Sequence, residues 1–221
     1  MSAAMDPRAP NLDVYVVTSS GLWPGRGHRD VAIAAIEGGA SAVQLRAPEL
    51  DSDHTAAVRL AAELAARCCR AGVLFVVNNR IDVAIESGAD GAHVGQGDDP
   101  GRARERLGPE RVLGVSVEDP EQARAAEATG ADYLAVTVWA TPTKPEARPV
   151  GLEGLRTIAG ATALPVLGIG GIGPANAEEV IAAGAAGVAV VSAVGSAPDP
   201  EAATRGLAET VRAAKAGRAG G

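Results

Sequence analysis

Polar side chains recur where the apolar runs of this sequence stop. The run that starts at Val73 ends in Asn78 and Asn79, and the run from Ala92 breaks into 95–98, Gly-Gln-Gly-Asp. Other runs end in a similar set of cations, acids and neutral donors: Thr18 and Ser19, Gln44 and Arg46, Ser116 and Glu118, Thr137, Gly170 and Gly171, and Ser192. Such groups suit a polyanionic ligand held with a divalent metal, and they lack the Ser–His–Asp grouping of acyl transfer.

A proline-flanked segment, residues 141–145, adds further anion-binding groups. Its Thr141, Thr143 and Lys144 supply two hydroxyls and one ammonium. Prolines at 142 and 145 exclude the interior of a helix, so we expect a stiff loop over the end of the sheet. The alternative is an ordinary surface loop with a solvated lysine.

The glycine-rich segment Gly168–Pro174 is the best phosphate candidate. Its glycines expose backbone N–H groups before a helix that we expect to begin near Pro174. It also matches G-x-G-x-x-G, but no acidic residue follows about 20 positions later, as a dinucleotide site requires. A plain tight turn is the alternative reading.

Among the remaining titratable residues, Asp98 is the best candidate for a ligand of Mg²⁺. This ion takes oxygen ligands and commonly combines one or two carboxylates with water and substrate phosphate. His93 lies inside an apolar run and is interpreted as a packed, hydrogen-bonded histidine, while His28 and His54 are expected at the surface. Trp139 either covers the site or simply packs.

The elements that must position these groups alternate along the chain. Eight strands are predicted, several continuously apolar and β-branched, as strands buried on both faces should be: 14–18, 42–46, 73–78, 92–94, 112–116, 133–138, 165–168 and 188–191. Eight helical patterns separate and follow them: 28–37, 53–71, 80–87, 100–106, 119–128, 152–160, 174–183 and 200–214.

One junction occurs four times, as GGASAVQL, SGADGAHV, TGADYLAV and AGAAGVAV. Gly39, Gly88, Gly130 and Gly184 fit the left-handed cap that ends a helix before a strand. Repeated βα units with right-handed crossovers predict an α/β fold, a single (β/α)8 TIM barrel with a closed parallel sheet. An open doubly wound sheet is the alternative. We expect one domain over 13–214, with a loose segment at 1–12 and a disordered tail at 215–221.

Composition narrows the class of protein. The chain has 221 residues, of which 47% are hydrophobic and 2% aromatic, and its net charge is −7. This charge disfavours sequence-independent binding to nucleic acid, so an anionic substrate needs a local cluster of cations.

Cys68 and Cys69 are adjacent, which argues against a disulfide framework or a metal site. No apolar run is long enough to span a bilayer and no signal peptide is evident, so we expect a cytoplasmic protein without nucleic-acid or membrane partners. A homodimer is allowed but not indicated.

Taken together, these segments resemble the thiamine phosphate synthase family over residues 13–205. The resemblance is carried by VQLR (43–46), VVNNRIDVA (76–84), GADGAHVGQGD (88–98), LGVS (113–116), ATGADYLAV (128–136), TPTKP (141–145), GLEGL (151–155), GIGGIGPANA (168–177) and GVAVVSAV (187–194). It implies a TIM barrel that joins an aminopyrimidine methyl diphosphate to a thiazole phosphate, with Mg²⁺, and releases pyrophosphate.

The resemblance also implies residue roles. The diphosphate would be bound by Gln44, Arg46, Asn78 and Lys144, with Mg²⁺ at Asp98 and Asn79. The thiazole phosphate would contact Thr141, Thr143, Gly171, Val191 and Ser192. Arg46 and Lys144 would stabilise the leaving group, and Ser116 would hydrogen-bond the pyrimidine or its departing oxygen.

Three positions depart from the family pattern. Pro48 stands where a lysine is usual, Asn79 where a metal-binding aspartate is usual, and Glu118 where a histidine is usual. The changes at positions 48 and 79 remove one positive and one negative charge, so the local net charge is unchanged. Because the lost negative charge is that of a metal ligand, we expect weaker metal binding. Two alternatives remain open: a thiazole tautomerase, which also lacks the aspartate and the lysine, and a non-catalytic phosphate-binding paralogue.

Overall fold

The eight predicted strands and the helices between them are present in a computed structural model, which describes residues 10–142 and 147–219. The strands are β1 Val14–Val17, β2 Ala42–Leu45, β3 Leu74–Asn78, β4 Gly91–Val94, β5 Val112–Ser116, β6 Tyr133–Thr137, β7 Val166–Ile169 and β8 Gly187–Val190. The helices are α1 His28–Glu37, α2 His54–Ala71, α3 Ile81–Ser87, α4 Pro100–Leu107, α5 Pro120–Ala128, α6 Gly151–Ala159, α7 Ala177–Ala182, α8 Ser192–Gly195 and α9 Pro200–Ala219. A 3₁₀ turn, Pro48–Leu50, follows β2.

The strands close into a barrel in chain order. Each strand pairs in parallel with the next, and β8 returns to pair with β1 through Val14–Val188 and Val16–Val190. The closed (β/α)8 barrel is therefore confirmed, and the open sheet is excluded. All eight carboxyl ends meet at one mouth, as parallel strands in a closed sheet require.

Side-chain alternation along the strands divides the buried residues into two layers. One parity faces the helices and joins their apolar faces in the larger cluster, with Val14, Val43 and Phe75 among its members. The other parity fills the barrel interior, where Tyr15, Leu74, Val112, Tyr133 and Leu167 pack together. Two of the chain's few aromatic residues therefore lie inside the barrel rather than between sheet and helices.

The repeated helix-to-strand junction has the predicted backbone. Gly39, Gly88, Gly130 and Gly184 have φ values of 87°, 71°, 87° and 105°, in the region that favours glycine. The residue two positions after three of these glycines also fastens the sheet. Ser41 Oγ, Asp90 Oδ2 and Asp132 Oδ2 accept hydrogen bonds from the backbone N–H of Val14, Phe75 and Leu113, at 3.0, 2.7 and 2.7 Å. We call these three residues the strand clamps.

The last two predicted helices differ most from expectation. Helix α7 begins at Ala177 and not near Pro174, because residues 174–176 form a turn in which Gly173 donates to Asn176 Oδ1 at 2.9 Å. Helix α9 continues to Ala219, so residues 215–219 are helical where a disordered tail was expected. Lys215 pairs with Asp13, and Arg218 donates to the carbonyls of Ile181 in α7 and Ala185 after it, which ties this last turn to the barrel.

Two smaller expectations have different outcomes. Cys68 and Cys69 are both free thiols, but only Cys68 is buried, whereas Cys69 is exposed and not half-buried as small packed residues would be. His28 was expected at the surface, but it is buried between Thr18 and Glu49. In the part of the chain that the structure describes, no helix combines the length and apolar character needed to cross a membrane.

Candidate active site

A cavity of about 330 Å³ opens at the carboxyl ends of the strands. Every one of the eight strands, or the loop that follows it, contributes to the lining. The closed barrel therefore brings together groups that lie more than a hundred residues apart in the chain.

Most of the predicted site residues line this cavity. Those in the lining are Gln44, Arg46, Asn78, Asn79, Ser116, Thr141, Gly171, Val191 and Ser192, together with Thr137 and Gly170 from the predicted rim. Asp98 is not part of the described lining, and Thr143 and Lys144 fall outside the described residues. The roles of all these residues remain predictions.

The end of β2 supplies one cation and an amide. Arg46 is half-buried in the lining, and its backbone N–H donates to Thr18 Oγ1 at 3.4 Å. Thr18 Oγ1 lies 2.8 Å from His28 Nδ1, and His28 Nε2 lies 2.6 Å from Glu49 Oε1. Burial alone would raise the pKa of Glu49, but the hydrogen bond from His28 lowers it below its ordinary value. The buried histidine thus ties the ends of β1 and β2 together beneath Arg46.

The end of β3 carries Asn78, Asn79 and a cation that sequence reasoning missed. Asn79 has φ 59°, a left-handed conformation that Asn and Asp tolerate better than other side chains. Arg80 follows it in the lining and donates to Asp82 at 2.9 Å. The hydrogen bond from Arg80 lowers the pKa of Asp82 to about 2, so that carboxylate stays ionised and offsets part of the Arg80 charge.

Asp98 lies beside the mouth, in the exposed turn after β4. Its Oδ2 accepts a hydrogen bond from the N–H of Gly95 at 2.9 Å, and Gly95 itself lines the cavity. Among the described residues, no group of three or more His, Cys, Asp or Glu side chains is arranged to hold a metal. A carboxylate and an amide oxygen are ligand types that Mg²⁺ accepts together with phosphate and water, so the donor chemistry of Asp98 and Asn79 is compatible with this ion.

The loop after β7 brings backbone to the opposite wall. Gly170 and Gly171 have φ values of 91° and 66°, and a Cβ at Gly170 would lie 2.5 Å from the carbonyl oxygen of Trp139. Glycine is therefore required there on two grounds, backbone conformation and close approach. Trp139 is half-buried against the core and does not belong to the cavity lining, so it packs beneath this loop.

Short helix α8, which the sequence did not predict, lies beside that loop. Val191 and Ser192 line the cavity at its start. At its other end Arg26, from the loop after β1, donates to the carbonyls of Gly195 and Ala197 at 3.1 and 2.6 Å. The loop after β1 therefore fixes the position of α8.

The cavity floor contains three further residues that sequence reasoning did not assign to the site: Tyr15, His93 and Tyr133. All three are buried, and they are hydrogen-bonded to one another and to Gln44 and Ser116. The strand alternation could have found them, because Tyr133 shares the parity of the predicted rim residue Thr137. His93 is packed and hydrogen-bonded as predicted, but inside the cavity.

Glu118 does not join this set. It is half-buried, its N–H donates to Gln122 Oε1, and its own Oε1 accepts from the N–H of Arg148 at 3.4 Å. The described cavity lining does not include it.

With this geometry in place, known proteins give a consistent picture. The family model described as thiamine monophosphate synthase matches residues 14–194. A thiamine-phosphate synthase of Moorella thermoacetica is 47% identical over 209 residues, which cover 93% of this chain and 99% of that protein. A thiamine-phosphate synthase of Roseiflexus sp. strain RS-1 is 49% identical over 204 residues, 91% of this chain and 86% of that protein.

Solved structures agree. A thiamine phosphate pyrophosphorylase from Pyrococcus furiosus superposes with a TM-score of 0.85 at 37% identity, covering 93% of this chain and 98% of that one. A 3-hexulose-6-phosphate synthase from Salmonella typhimurium, at 18% identity and a TM-score of 0.72, shares the fold alone. The family match spans most of the barrel, and the relatives are similar along almost their whole length. The chain belongs to the thiamine monophosphate synthase family.

Proposed function

We propose that this protein is a thiamine phosphate synthase, a transferase that joins an aminopyrimidine methyl diphosphate to a thiazole phosphate and releases pyrophosphate. The observation that carries the proposal is the convergence of Arg46, Asn78, Ser116, Gly171 and Ser192 on one cavity at the barrel mouth. These residues come from five different strand ends, and all five were selected from the sequence as anion-binding or hydrogen-bonding groups.

The diphosphate binds on the side of the mouth formed by the ends of β2 and β3. Arg46 offers a planar guanidinium that can form two hydrogen bonds to phosphate, and Asn78 adds an amide donor. Arg80 supplies a second cation in the same lining as Pro48, the position where the family usually carries a lysine. We propose that Arg80 replaces part of that missing charge.

Mg²⁺, when bound, supplies positive charge to the diphosphate oxygens. Asp98 and Asn79 would hold it together with the diphosphate and water, as the donor set described above allows. With a neutral amide at 79 in place of a carboxylate, the protein contributes one charged ligand from this pair. We therefore expect Mg²⁺ to bind weakly, so that activity reaches its maximum only at high concentrations of the ion.

The thiazole phosphate binds on the opposite wall. Gly171, Val191 and Ser192 present backbone N–H groups and a hydroxyl in one corner of the lining, beside Thr141. The predicted contributions of Thr143 and Lys144 fall on residues that the structure does not describe. Two phosphate sites on facing walls hold the two heterocycles together, which converts a bimolecular reaction into one between neighbours.

The proposed reaction begins with departure of pyrophosphate, which leaves a cationic pyrimidine methylene that the thiazole nitrogen attacks. Arg46 stabilises the negative charge that grows on the leaving group, and Ser116 donates a hydrogen bond from the cavity floor. No general base has to remove a proton in this step.

The direct test follows pyrophosphate release from the purified protein with both substrates and Mg²⁺. Arg46→Ala should lower kcat/KM by about 100-fold or more, because the positive charge that stabilises the leaving group is lost. Arg59→Ala, on the exposed face of α2, is the matched control and should behave like the unchanged protein. Absence of pyrophosphate release from the unchanged protein would contradict the proposed function.

The geometry does not favour the tautomerase alternative. That activity would need a proton-transferring group at position 118, yet the Glu118 side chain contacts the N–H of Arg148 and lies outside the described lining. Thiazole isomerisation measured in the absence of metal is the companion assay, and we expect no activity.

A further inference from the structure

Five polar side chains of the cavity floor form one continuous hydrogen-bonded chain. Gln44 Nε2 lies 2.8 Å from Tyr15 Oη, and Tyr15 Oη lies 2.8 Å from Tyr133 Oη. Tyr133 Oη lies 3.1 Å from His93 Nδ1, and His93 Nε2 lies 2.9 Å from Ser116 Oγ. This chain, which we call the floor relay, connects β2 to β5 through β1, β6 and β4.

A glycine makes the central contact of the floor relay possible. In the sheet register Gly114 of β5 lies between His93 of β4 and Tyr133 of β6. A Cβ at Gly114 would lie 2.1 Å from the Tyr133 ring and 2.4 Å from His93 Nδ1. Any larger residue would push the two rings apart, so the contact between Tyr133 and His93 requires glycine at position 114.

The floor relay has a direction, which begins at the amide. Gln44 presents its amide nitrogen, a group that only donates, so Tyr15 Oη accepts this bond. Among the described residues, the other hydrogen-bond partner of Tyr15 Oη is Tyr133 Oη, so Tyr15 donates its proton there. Burial raises the pKa of both phenols, and each therefore keeps its proton at neutral pH.

The direction fixes the histidine tautomer. Tyr133 has accepted a proton from Tyr15, so its own proton points to His93 Nδ1. A ring nitrogen that accepts a hydrogen bond carries no proton, and neutral His93 then carries its proton on Nε2. That Nε2–H donates to Ser116 Oγ, which leaves the Ser116 proton available to a ligand in the cavity.

The opposite direction is unfavourable. It would make Tyr15 accept from both Gln44 and Tyr133, and the hydroxyl proton of a side chain that is 1% exposed would have no acceptor. It would also make Ser116 donate to His93, so that the serine could only accept hydrogen bonds from a ligand.

We propose that Tyr133 is a positioning residue: it holds His93 in the Nε2–H tautomer, which presents the Ser116 hydroxyl as a hydrogen-bond donor to the oxygen that leaves from the substrate. The identity of that oxygen rests on the proposed function. The direction of the floor relay is independent of the proposed function, because it follows from the hydrogen bonds between the protein's own side chains.

The first test needs no substrate, and it uses one variant only to assign the signal. Nitrogen-15 NMR of the histidine rings at about pH 8, above the usual imidazole pKa, distinguishes a protonated ring nitrogen from a bare one. We expect His93, assigned as the signal lost in His93→Asn, to show a proton on Nε2 and none on Nδ1. A proton on Nδ1 would reverse the relay and overturn the proposal.

Two matched variants test which tyrosine sets the tautomer. Tyr133→Phe removes the donor to Nδ1 and should release the Nε2–H preference, giving a mixture of tautomers. Tyr15→Phe removes a phenol of the same size and the donor that turns the Tyr133 proton toward Nδ1, but Tyr133 can still donate to His93, so the Nε2–H preference should weaken less than in Tyr133→Phe. Thermal melting checks that both remain folded, and identical tautomer populations in the two variants would contradict a specific role for Tyr133.

Kinetics then test the consequence. Tyr133→Phe should lower kcat for pyrophosphate release by about 10-fold while KM for the diphosphate changes by less than about 3-fold, because a donor to developing charge acts mainly in the transition state. Unchanged kcat despite a shifted tautomer would refute the link to Ser116. If the unchanged protein shows the expected tautomer but releases no pyrophosphate, the proposed function fails and the relay stands.

Discussion

One amide at Asn79 shows how much can depend on a single residue of this site. It lines the cavity in a left-handed backbone conformation, at the position where the family usually carries a metal-binding aspartate. Aspartate tolerates that conformation nearly as well as asparagine, so the backbone does not explain the change. The residue could be recognised from the sequence because it directly follows an apolar run, whereas Arg80 beside it could not, because an arginine at the start of a helix is common.

Asn79→Asp should tighten the apparent requirement for Mg²⁺ by about 10-fold, since a carboxylate binds this ion better than a neutral amide and a tenfold change corresponds to about 1.4 kcal/mol. The measurement is the Mg²⁺ dependence of pyrophosphate release. Asn11→Asp adds the same charge to an exposed residue before β1, at the other end of the barrel, and should leave the dependence unchanged. An equal effect of both substitutions would refute Asn79 as a metal ligand.

At the scale of secondary-structure elements, the positions of the site residues depend on contacts between segments distant in the chain. The four helix-to-strand junctions were recognised from the sequence through their glycines, but the strand clamps were not. Their acceptors and donors lie 15 to 27 residues apart, and nothing in a local pattern joins them. Helix α8 was missed for a related reason, because four residues carry no periodic signal.

The strand clamp at Asp132 should contribute measurably to stability. Asp132→Ala leaves the N–H of Leu113 without its acceptor and removes the partner of Arg104, which lies 2.6 Å away. We expect the free energy of unfolding to fall by about 2 kcal/mol, measured by urea denaturation. Ser41→Ala, the corresponding neutral clamp, should cost about 1 kcal/mol. An Asp132→Ala protein as stable as the unchanged one would contradict this role.

Arg26 should affect one substrate more than the other. Its guanidinium binds carbonyls at the end of α8, and the start of α8 lines the proposed thiazole phosphate site. Arg26→Ala should therefore raise KM for the thiazole phosphate by about 5- to 10-fold and leave KM for the diphosphate nearly unchanged. Steady-state kinetics with each substrate varied in turn provide the measurement.

The control for Arg26 is Arg29→Ala. Arg29 is an exposed arginine of α1 that pairs with Glu63 at 2.5 Å, away from α8. The substitution Arg29→Ala should change neither the KM for the thiazole phosphate nor the KM for the diphosphate. Equal increases in both Michaelis constants with Arg26→Ala would indicate general loosening of the mouth and not a role through α8.

At the scale of the whole molecule, a net charge of −7 surrounds a mouth that binds two anionic substrates. The overall field is therefore unfavourable for binding, and local groups must overcome it. Arg46 and Arg80 lie in the lining and supply this local positive charge. In the helical layer outside the barrel, Cys68 packs in the core and Cys69 faces outward, so the two thiols can report how tightly α2 packs against the sheet.

Cys68 and Cys69 should differ sharply in reactivity. Burial raises the pKa of Cys68 to about 12, whereas Cys69 is exposed. An aromatic disulfide reagent at about pH 8 should titrate one thiol per chain in the native protein and two after unfolding. Cys69→Ser should abolish the fast reaction, and two fast thiols in the native protein would mean that the contact between α2 and the sheet opens readily.

The sequence by itself determined the barrel and most of the residues around its mouth. Buried parallel strands produce apolar runs, glycine caps mark each return, and polar residues at the strand ends can be identified one by one, as Arg46, Asn78 and Ser116 were. Tertiary structure decided which interior side chains meet. Tyr15, His93 and Tyr133 are distant in sequence, and their hydrogen bonds exist because barrel closure and the small residue at Gly114 let side chains from three unpaired strands meet in the interior. Alternation along a strand predicts that such residues face inward, but the register between strands decides their partners.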